Sequence, residues 1–584
     1  MTAEPLGFDL ETADASQLFP LRDHFVTLAG FTATPGVGFT SDMQELIQLI
    51  NAAPYVYGHG ITTFDLLSLA HGYGLDWETT LRKAIDTELL DRLDYPPMAR
   101  DTGGSIDRYD LDHVAKRRGV AGKSGSIKDI AAKHGGYHKI PLDDEEFRAY
   151  LAADVIAIRE LMTQLPFKGN AYAKREHAVS SWNGRMTLNG FRVDVPLLEQ
   201  RIAEGSANKK LALRLLAEDF DLPLGRFEWS GKGNDKLETW NEFESPLVTL
   251  EGRRWLMEVW AAFGVHNPPI TGDGRLSVSA ADLRPIADSG LVHPDLRRIL
   301  ELMIEVTTTR TIYQTIQDHM VGDRVHPLIV MRQASGRSSV TSPGLTVMGK
   351  RGGRHIERDV LLPELGQVLI SADLSQVDMR GVAAHAQDRA YARLFEPGKN
   401  VHKETAAMIF GDEAFYAEAK AIGHGANYGQ SAKTLIDKGH NPERVHTFFA
   451  RREEEFGRLM AWTAEIRELA KAGNLLDNGF GRLMRPDPAR YYTQAPALMG
   501  QGTAADILKE AILRLPDPDF RPLVKLSVHD ELLVSCDPGE VKDVQRELRR
   551  AMTFEWAPEG SSFDIPILCD VSEPGDNWGT VSAK

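Results

Sequence analysis

The sequence predicts a mixed α/β protein of several domains. Three observations point that way: a length of 584 residues, strand patterns alternating with helical ones up to about residue 165, and short apolar strand patterns set among long helical stretches after that. At about 150 residues per domain, the length corresponds to roughly four globular units. Hydrophobic residues at 42% and charged residues at 26% supply several buried cores and argue against global disorder. The net charge of −16 counts against coating nucleic acid through bulk positive charge, but it leaves room for a local basic groove. Cys536 and Cys569 are too few for a disulfide framework and lack zinc-site spacing, so a reducing cytoplasm is expected. The acidic amino end carries no secretory pattern, and no apolar run reaches about 18 residues, so a soluble protein without a membrane partner is expected.

The elements follow in order. Leu6 to Glu11 is a short apolar and acidic run that reads as a strand. DDEEFRAYLAADVIAIREL, from Asp143 to Leu161, has apolar residues at helical spacing and acids in its first turn, where they suit a helix N-terminus. Pro and Gly in the segment 163–174 break that pattern and mark a domain boundary. From about 176 to 320 helical patterns dominate, with EWSGKGND and NPPITGDGRLS expected as loops. Val368 to Ala372 is a strand ending in Asp373, residues 400–515 read as mainly helical, and Leu523 to Ser535 reads as two short strands around a turn at His529 to Glu531.

Two acidic groupings carry chemistry. Asp9 and Glu11 are two apart on a strand and share a face. Tyr150 and Asp154 are four apart on a helix, about 40° around its axis. Asp65 closes GHGITTFD just before an apolar run that can start a helix. Carboxylates from three separate elements would bind two divalent metals, with the Tyr hydroxyl orienting an attacking water. In the second grouping, Asp373 ends one strand and Asp530 and Glu531 sit at the turn of another pair, a set of oxygen donors suited to paired magnesium ions. Between them, Lys420, His424 and Tyr428 recur every four residues on one helical face, where a Lys can neutralise triphosphate and the rings can flank a base or sugar. Gly423, Gly425 and Gly429 disfavour a plain surface helix there and suggest mobility or close backbone approach.

FDLET, TTFD and YLAAD, in that order, resemble the three motifs of the DEDD 3′-5′ exonucleases, in the subclass with Tyr in the third. That family usually has Asn four residues before the second-motif Asp; this chain has Ile61, which implies a lost hydrogen bond to the DNA end. DLSQVDMR resembles motif A of the family A (DNA polymerase I-like) DNA polymerases, KAIGHGANYG their motif B and VHDE their motif C. ASGRSS, GFGRLMRP and QGTAAD add matches in family order. The resemblance covers nearly the whole chain and lacks a 5′-nuclease portion; the compact length is similar to that of phage replicative enzymes.

The resemblance implies an α/β exonuclease (RNase H-like) domain over 1–170, followed by an α+β right-hand polymerase. Its parts would be a thumb and helical connection over 171–325, palm over 326–400 and 488–584, and fingers over 401–487. It further implies that Asp9, Glu11, Asp65 and Asp154 hold metal, with Tyr150 beside them, and that Asp373 and Asp530 bind two Mg²⁺ with Glu531 as a supporting acid. Mn²⁺ would serve as a substitute. Lys420, His424, Tyr428, Gln376, Asp378 and His402 would surround the incoming dNTP. Arg337, Gln501 and His529 would touch the primer-template minor groove, and Arg354, in the basic stretch MGKRGGRHIER, would contact phosphate. Three positions depart from the family: Tyr416 stands where Arg is usual, His424 for Phe or Tyr, and Asp378 for Glu.

The expected function is template-directed DNA synthesis with proofreading, in a bacterial cytoplasm or an infected host cell, with room for a processivity factor. The Tyr416 and His424 departures motivate an alternative, a 3′-5′ exonuclease whose degenerate polymerase half serves as a DNA-binding platform. A third reading, a single-subunit RNA polymerase, is opposed by DLSQVD and by the exonuclease motifs.

Overall fold

A computed structural model describes residues 4–13, 25–99, 107–122, 125–165, 170–230, 237–242, 246–271, 274–288, 292–308, 312–348, 357–437 and 439–582, with only the backbone path at 226–230 and 237–242. Arg354 and most of MGKRGGRHIER lie outside the described residues.

Strand β1 (Leu6–Thr12) buries Phe8 and Leu10 on one side and leaves Asp9 and Glu11 half-buried on the other, the alternation a strand requires. It is the middle strand of a five-stranded sheet with β2 (Val26–Thr32), β3 (Val37–Thr40), β4 (Val56–Gly58) and β5 (Ala84–Asp86), in the order β3-β2-β1-β4-β5. β2 is antiparallel to β1, whereas β4 is parallel to it. Phe8, Leu46, Ile50, Val56, Ile61 and Leu66 fill the core of this part.

Helix α1 (Asp65–Tyr73) starts at its acidic residue and stops at Gly74, whose φ of 78° supplies the left-handed cap. Helix α2 (Glu145–Gln164) begins where the Asp144 carboxylate accepts from the Phe147 N–H at 2.8 Å. Its buried face runs through Phe147, Tyr150, Leu151, Asp154, Ile158 and Leu161 and packs on β1 and β2.

Helix α3 (Ala171–Asn189) is buried on nearly every side, including at Glu176, His177, Ser180 and Ser181. A helix enclosed in this way lies inside a core rather than on its surface. It packs against β5 and also against the strand Val524–Val528 and the helix Tyr491–Leu513. Residues Met1–Arg192 and Met320–Lys584 accordingly form one compact unit, with Val193–His319 as a second. Helix α3 thus belongs to the first unit, and the second begins after it, at Val193.

The second unit contains α4 (Val195–Phe220), a hairpin of β6 (Gly225–Ser230) and β7 (Leu237–Glu242), α5 (Leu250–Ala262), α6 (Ala280–Asp288) and α7 (Pro294–Thr308). Its core is built on Leu213, Leu216, Trp255, Trp260, Leu300 and Met303. The pairing of residues 225–230 with 237–242 over six registered positions corrects the expectation of a loop for Glu228 to Ser230 of EWSGKGND; the remainder of that segment lies outside the described residues.

In the first unit, β8 (Val368–Leu374) leads into α8 (Val377–Ala386). There follow α9 (Val401–Phe410), α10 (Tyr416–Asn427), α11 (Gly457–Lys471) and α12 (Tyr491–Leu513), then β9 (Val524–Val528), β10 (Glu531–Cys536) and β11 (Cys569–Val571). The four strands form an antiparallel sheet in the order β9-β10-β8-β11. β9 and β10 are buried at every position, the polar Lys525 and Ser527 that alternate with the apolar residues of β9 included.

Candidate active sites

The sheet β3-β2-β1-β4-β5 and helix α2 bring Asp9, Glu11 and Asp154 together, with one carboxylate oxygen from each within 4.8 Å of the others. Among the described residues this is the one set of three or more acidic, His or Cys side chains with that spacing. Asp65, at the first residue of α1, is tied to the same strand, since its Oδ1 accepts from the Leu10 N–H at 3.1 Å. Burial, then the neighbouring Asp9 charge, push the Asp65 carboxyl well above the usual carboxylate range. An all-oxygen donor set in which like charges are crowded and two, Asp65 and Asp154, are buried fits a hard divalent cation, whose charge removes the repulsion. Tyr150 lies one turn before Asp154, 3% exposed, among Leu28, Ile130 and Phe147. Ile61 is fully buried in the core below the loop leading to Asp65, so it presents no polar group where the DEDD pattern has Asn.

The second acidic grouping is placed by register. Asp373 on β8 stands opposite Glu531 on β10, and the Leu374 N–H donates to the Asp530 carbonyl at 3.0 Å. The turn from β9 to β10 is the pair His529-Asp530, with His529 exposed at a φ of 56°. Glu531 is 1% exposed. It accepts from Ser371 Oγ at 2.6 Å and from Trp578 Nε1 at 3.4 Å, and it pairs with Arg358 at 3.3 Å. Arg358 in turn lies over the Trp578 ring at 3.9 Å. Glu531 is thus held by three partners behind the turn, while Asp373 supplies a carboxylate from β8 and Asp530 one from the turn between β9 and β10, again oxygen donors suited to Mg²⁺.

Trp578, 47 residues from Glu531, was not singled out in the sequence, whereas Arg358 is the last residue of the basic stretch MGKRGGRHIER expected to clamp phosphate and is instead buried against Glu531, 173 residues away. Asp570 on β11 also went unnoticed; it stands opposite Asp373 on the other side and accepts from Ser375 Oγ at 2.8 Å.

Asp378, on the first turn of α8, joins two other expected residues. Arg337 donates to it at 2.7 Å and the Tyr428 hydroxyl donates to its other oxygen. Asp therefore reaches Tyr428 despite being one methylene shorter than Glu. Burial, then the Asp378 charge, push the Tyr428 hydroxyl upward. Gln376 caps α8 at a φ of 55°.

On α10, Tyr416, Lys420 and His424 follow one another on one face. Lys420 Nζ lies 5.8 Å above the Tyr416 ring, and the His424 and Tyr428 rings meet at 4.7 Å. His402, from α9, meets Tyr416 edge-on at 5.9 Å, and burial, then the charges of Lys420 and His424, lower it to about 4. The Tyr in the usual Arg position therefore packs under Lys420 and edge-on to the His402 ring. Gly429, at a φ of 77°, lies where a Cβ would meet the Thr493 backbone at 2.9 Å, so close backbone approach accounts for that glycine.

Behind Arg337 and Gln501 is a buried charge cluster that sequence reading missed. Glu176 of α3 accepts from Lys509 at 2.8 and 2.9 Å and from Arg482 at 2.6 Å, and Asp506 accepts from Tyr172 at 2.8 Å. Arg482, Asp506 and Gln501 fall within the motifs GFGRLMRP and QGTAAD; their partners Glu176 and Tyr172 come from a helix more than 300 residues earlier. Arg482 also fills the space beside Gly336, where a Cβ would meet its Nε at 2.3 Å at a φ of 80°.

Comparison with known proteins matches residues 265–580 to DNA polymerase family A. The chain is 28% identical over 432 residues to thermostable DNA polymerase I of Thermus filiformis, covering 70% of this chain and 48% of that protein, so it spans about half that relative's length. It is 22% identical over 543 residues to the DNA polymerase of Mycobacterium phage D29, covering 89% and 83%. The POL domain of Pol1 from M. smegmatis, solved in complex with DNA primer-template and dNTP, shares the fold at a TM-score of 0.70 and 20% identity, covering 99% of this chain and 96% of that one.

Proposed function

Because the chain belongs to DNA polymerase family A, we propose that it extends a DNA primer with dNTPs under the direction of a template and removes mismatched 3′ ends at a second site. The observation that carries the first activity is the register that sets Asp373 beside Asp530 and Glu531. Asp373 and Asp530 would hold the divalent ions, with Arg358 paired to Glu531 and fixing it behind them. When bound, such ions sharpen the primer hydroxyl as a nucleophile and stabilise the departing pyrophosphate. Lys420 and His402 meet the triphosphate. Tyr428, braced by Asp378, closes the side of the pocket where a ribose 2′-hydroxyl would sit, and Arg337, Gln501 and His529 face the minor groove of the primer-template.

The second activity rests on the Asp9, Glu11 and Asp154 cluster with Asp65 beside it. These carboxylates would hold metal against the terminal phosphodiester, while Tyr150 orients water. Similarity to the phage D29 polymerase over most of both chains favours a replicative enzyme of the phage type. Among the described residues no helix is long and apolar enough to cross a membrane.

Primer extension with four dNTPs and Mg²⁺ tests the reading. Extension by the parent and none by Asp530→Ala is expected; extension that persists in Asp530→Ala overturns the site. Degradation without extension favours an exonuclease with a DNA-binding platform, and a preference for rNTPs favours an RNA polymerase. In Asp9→Ala, loss of mismatch removal with extension intact is expected.

A further inference from the structure

The loop that delivers Asp65 is built on a carboxylate that no motif includes. Asp86 ends β5 and is 2% exposed. Its Oδ1 accepts from the Gly60 N–H at 2.9 Å, and its Oδ2 accepts from the Thr62 N–H at 3.1 Å and the Thr62 hydroxyl at 2.8 Å. The Glu88 N–H, at 2.9 Å, caps the following helix on the same Oδ1. A buried carboxylate with this many donors is fully satisfied and fixed in place.

The clamp is itself held from α3. Ser180 Oγ donates to Thr62 Oγ1 at 3.1 Å, and His177 Nε2 accepts from the Asp86 N–H at 2.9 Å. His177 Nδ1 lies 2.7 Å from the Ala173 carbonyl, which places the ring proton on Nδ1 and leaves Nε2 as the acceptor. Gly60, at a φ of 71°, turns the loop, and the Leu66 N–H donates to the Ile61 carbonyl at 3.0 Å, so the clamped residues lead directly into α1 and its first residue, Asp65. Ile61, buried where a polar anchor is otherwise expected, adds only apolar contact.

We propose that Asp86 is a positioning residue for the 3′-5′ exonuclease site, setting through Gly60 and Thr62 the place of Asp65 beside Asp9. The inference rests on the proofreading reading above. Groups that orient metal ligands from behind typically change metal affinity or activity by about 10- to 100-fold when replaced.

The test compares parent, Asp86→Asn and Thr62→Val for degradation of a single-stranded 3′ end across a Mg²⁺ titration, with matched-primer extension by the same preparations as the folding control. Asn keeps the shape of Asp86 but turns an NH₂ toward the Thr62 donors, and Val removes the hydroxyl bond alone. The expected result is a rise of about tenfold or more in the Mg²⁺ needed for half-maximal degradation by Asp86→Asn, with a smaller rise for Thr62→Val and extension unchanged. A Mg²⁺ requirement within about twofold of the parent in both variants overturns the inference. Should Asp86→Asn yield no folded protein, Thr62→Val decides by the same readout. Asp9→Ala separates the two readings: if it too degrades like the parent, the exonuclease site is wrong; if it is inactive while the clamp variants match the parent, only the role of Asp86 falls.

Discussion

Replacing Glu176 with Gln isolates the buried cluster that ties α3 to α12. Glu176 is fully buried, and it accepts from Lys509 at 2.8 and 2.9 Å and from Arg482 at 2.6 Å, while Asp506 lies 3.6 Å from Lys509 and 3.4 Å from Arg482. Two negative and two positive groups therefore balance. Gln removes one negative charge and leaves both cations in place, and breaking a buried pair from one side costs about 3–5 kcal/mol. With a urea slope of about 3 kcal/mol/M, the unfolding midpoint moves down by roughly 1–1.7 M, read by tryptophan fluorescence. The double variant Glu176→Gln with Lys509→Met restores the balance and recovers a large part of the loss. A midpoint shift below about 0.3 M in the single variant, or a double variant that loses the sum of both changes, refutes the assignment of the cluster as a mutually compensated unit.

Three further outcomes follow from the same geometry. Gly336→Ala forces a Cβ to 2.3 Å from Arg482 Nε at a φ of 80°, so a loss of about 1–3 kcal/mol and weaker primer binding are expected, checked by denaturation and by the KM for primer-template. Asp378→Ala removes the acceptor shared by Arg337 and Tyr428, and ribonucleotide incorporation relative to deoxynucleotide is expected to rise by roughly 10- to 100-fold, the equivalent of one charged hydrogen bond, measured by single-nucleotide extension. Glu364 would be raised by burial, but hydrogen bonds from Arg324 and Lys525 lower it to about 2. A carboxyl depressed in the folded state contributes stability above its unfolded value of about 4.3 and loses it as pH falls through about 2. Thermal unfolding of the parent should therefore fall more steeply between those pH values than that of Glu364→Gln.

The features legible in the sequence were those encoded locally. The acid-ended strand at 373, the hairpin around 529–530, the capped helix carrying Tyr150 and Asp154, and the helix starting at Asp65 each carry their signal within a short window of period two or 3.6. What escaped was set by pairing across long separations. Arg358 and Trp578 meet Glu531 only because the segments 357–360 and 578–582 pack on each other beside β8, and Glu176 looks like an ordinary helical acid until α12 closes over it. The pairing of β6 with β7 was missed for another reason: the Gly-rich composition of EWSGKGND outweighed the strand pattern of its first three residues. Asp86, next to Thr87 in an unremarkable AIDTELL, reveals its part only through the backbone N–H groups of residues 60 and 62.

Metal-directed cleavage tests the central claim most directly. With Mg²⁺ replaced by Fe²⁺ in the presence of ascorbate and peroxide, the backbone is cut beside each bound ion. The account predicts cuts near Asp373 and Asp530 that vanish in Asp530→Ala, together with an independent set near Asp9, Asp65 and Asp154. Cuts confined to the second set, or unchanged by Asp530→Ala, would contradict it.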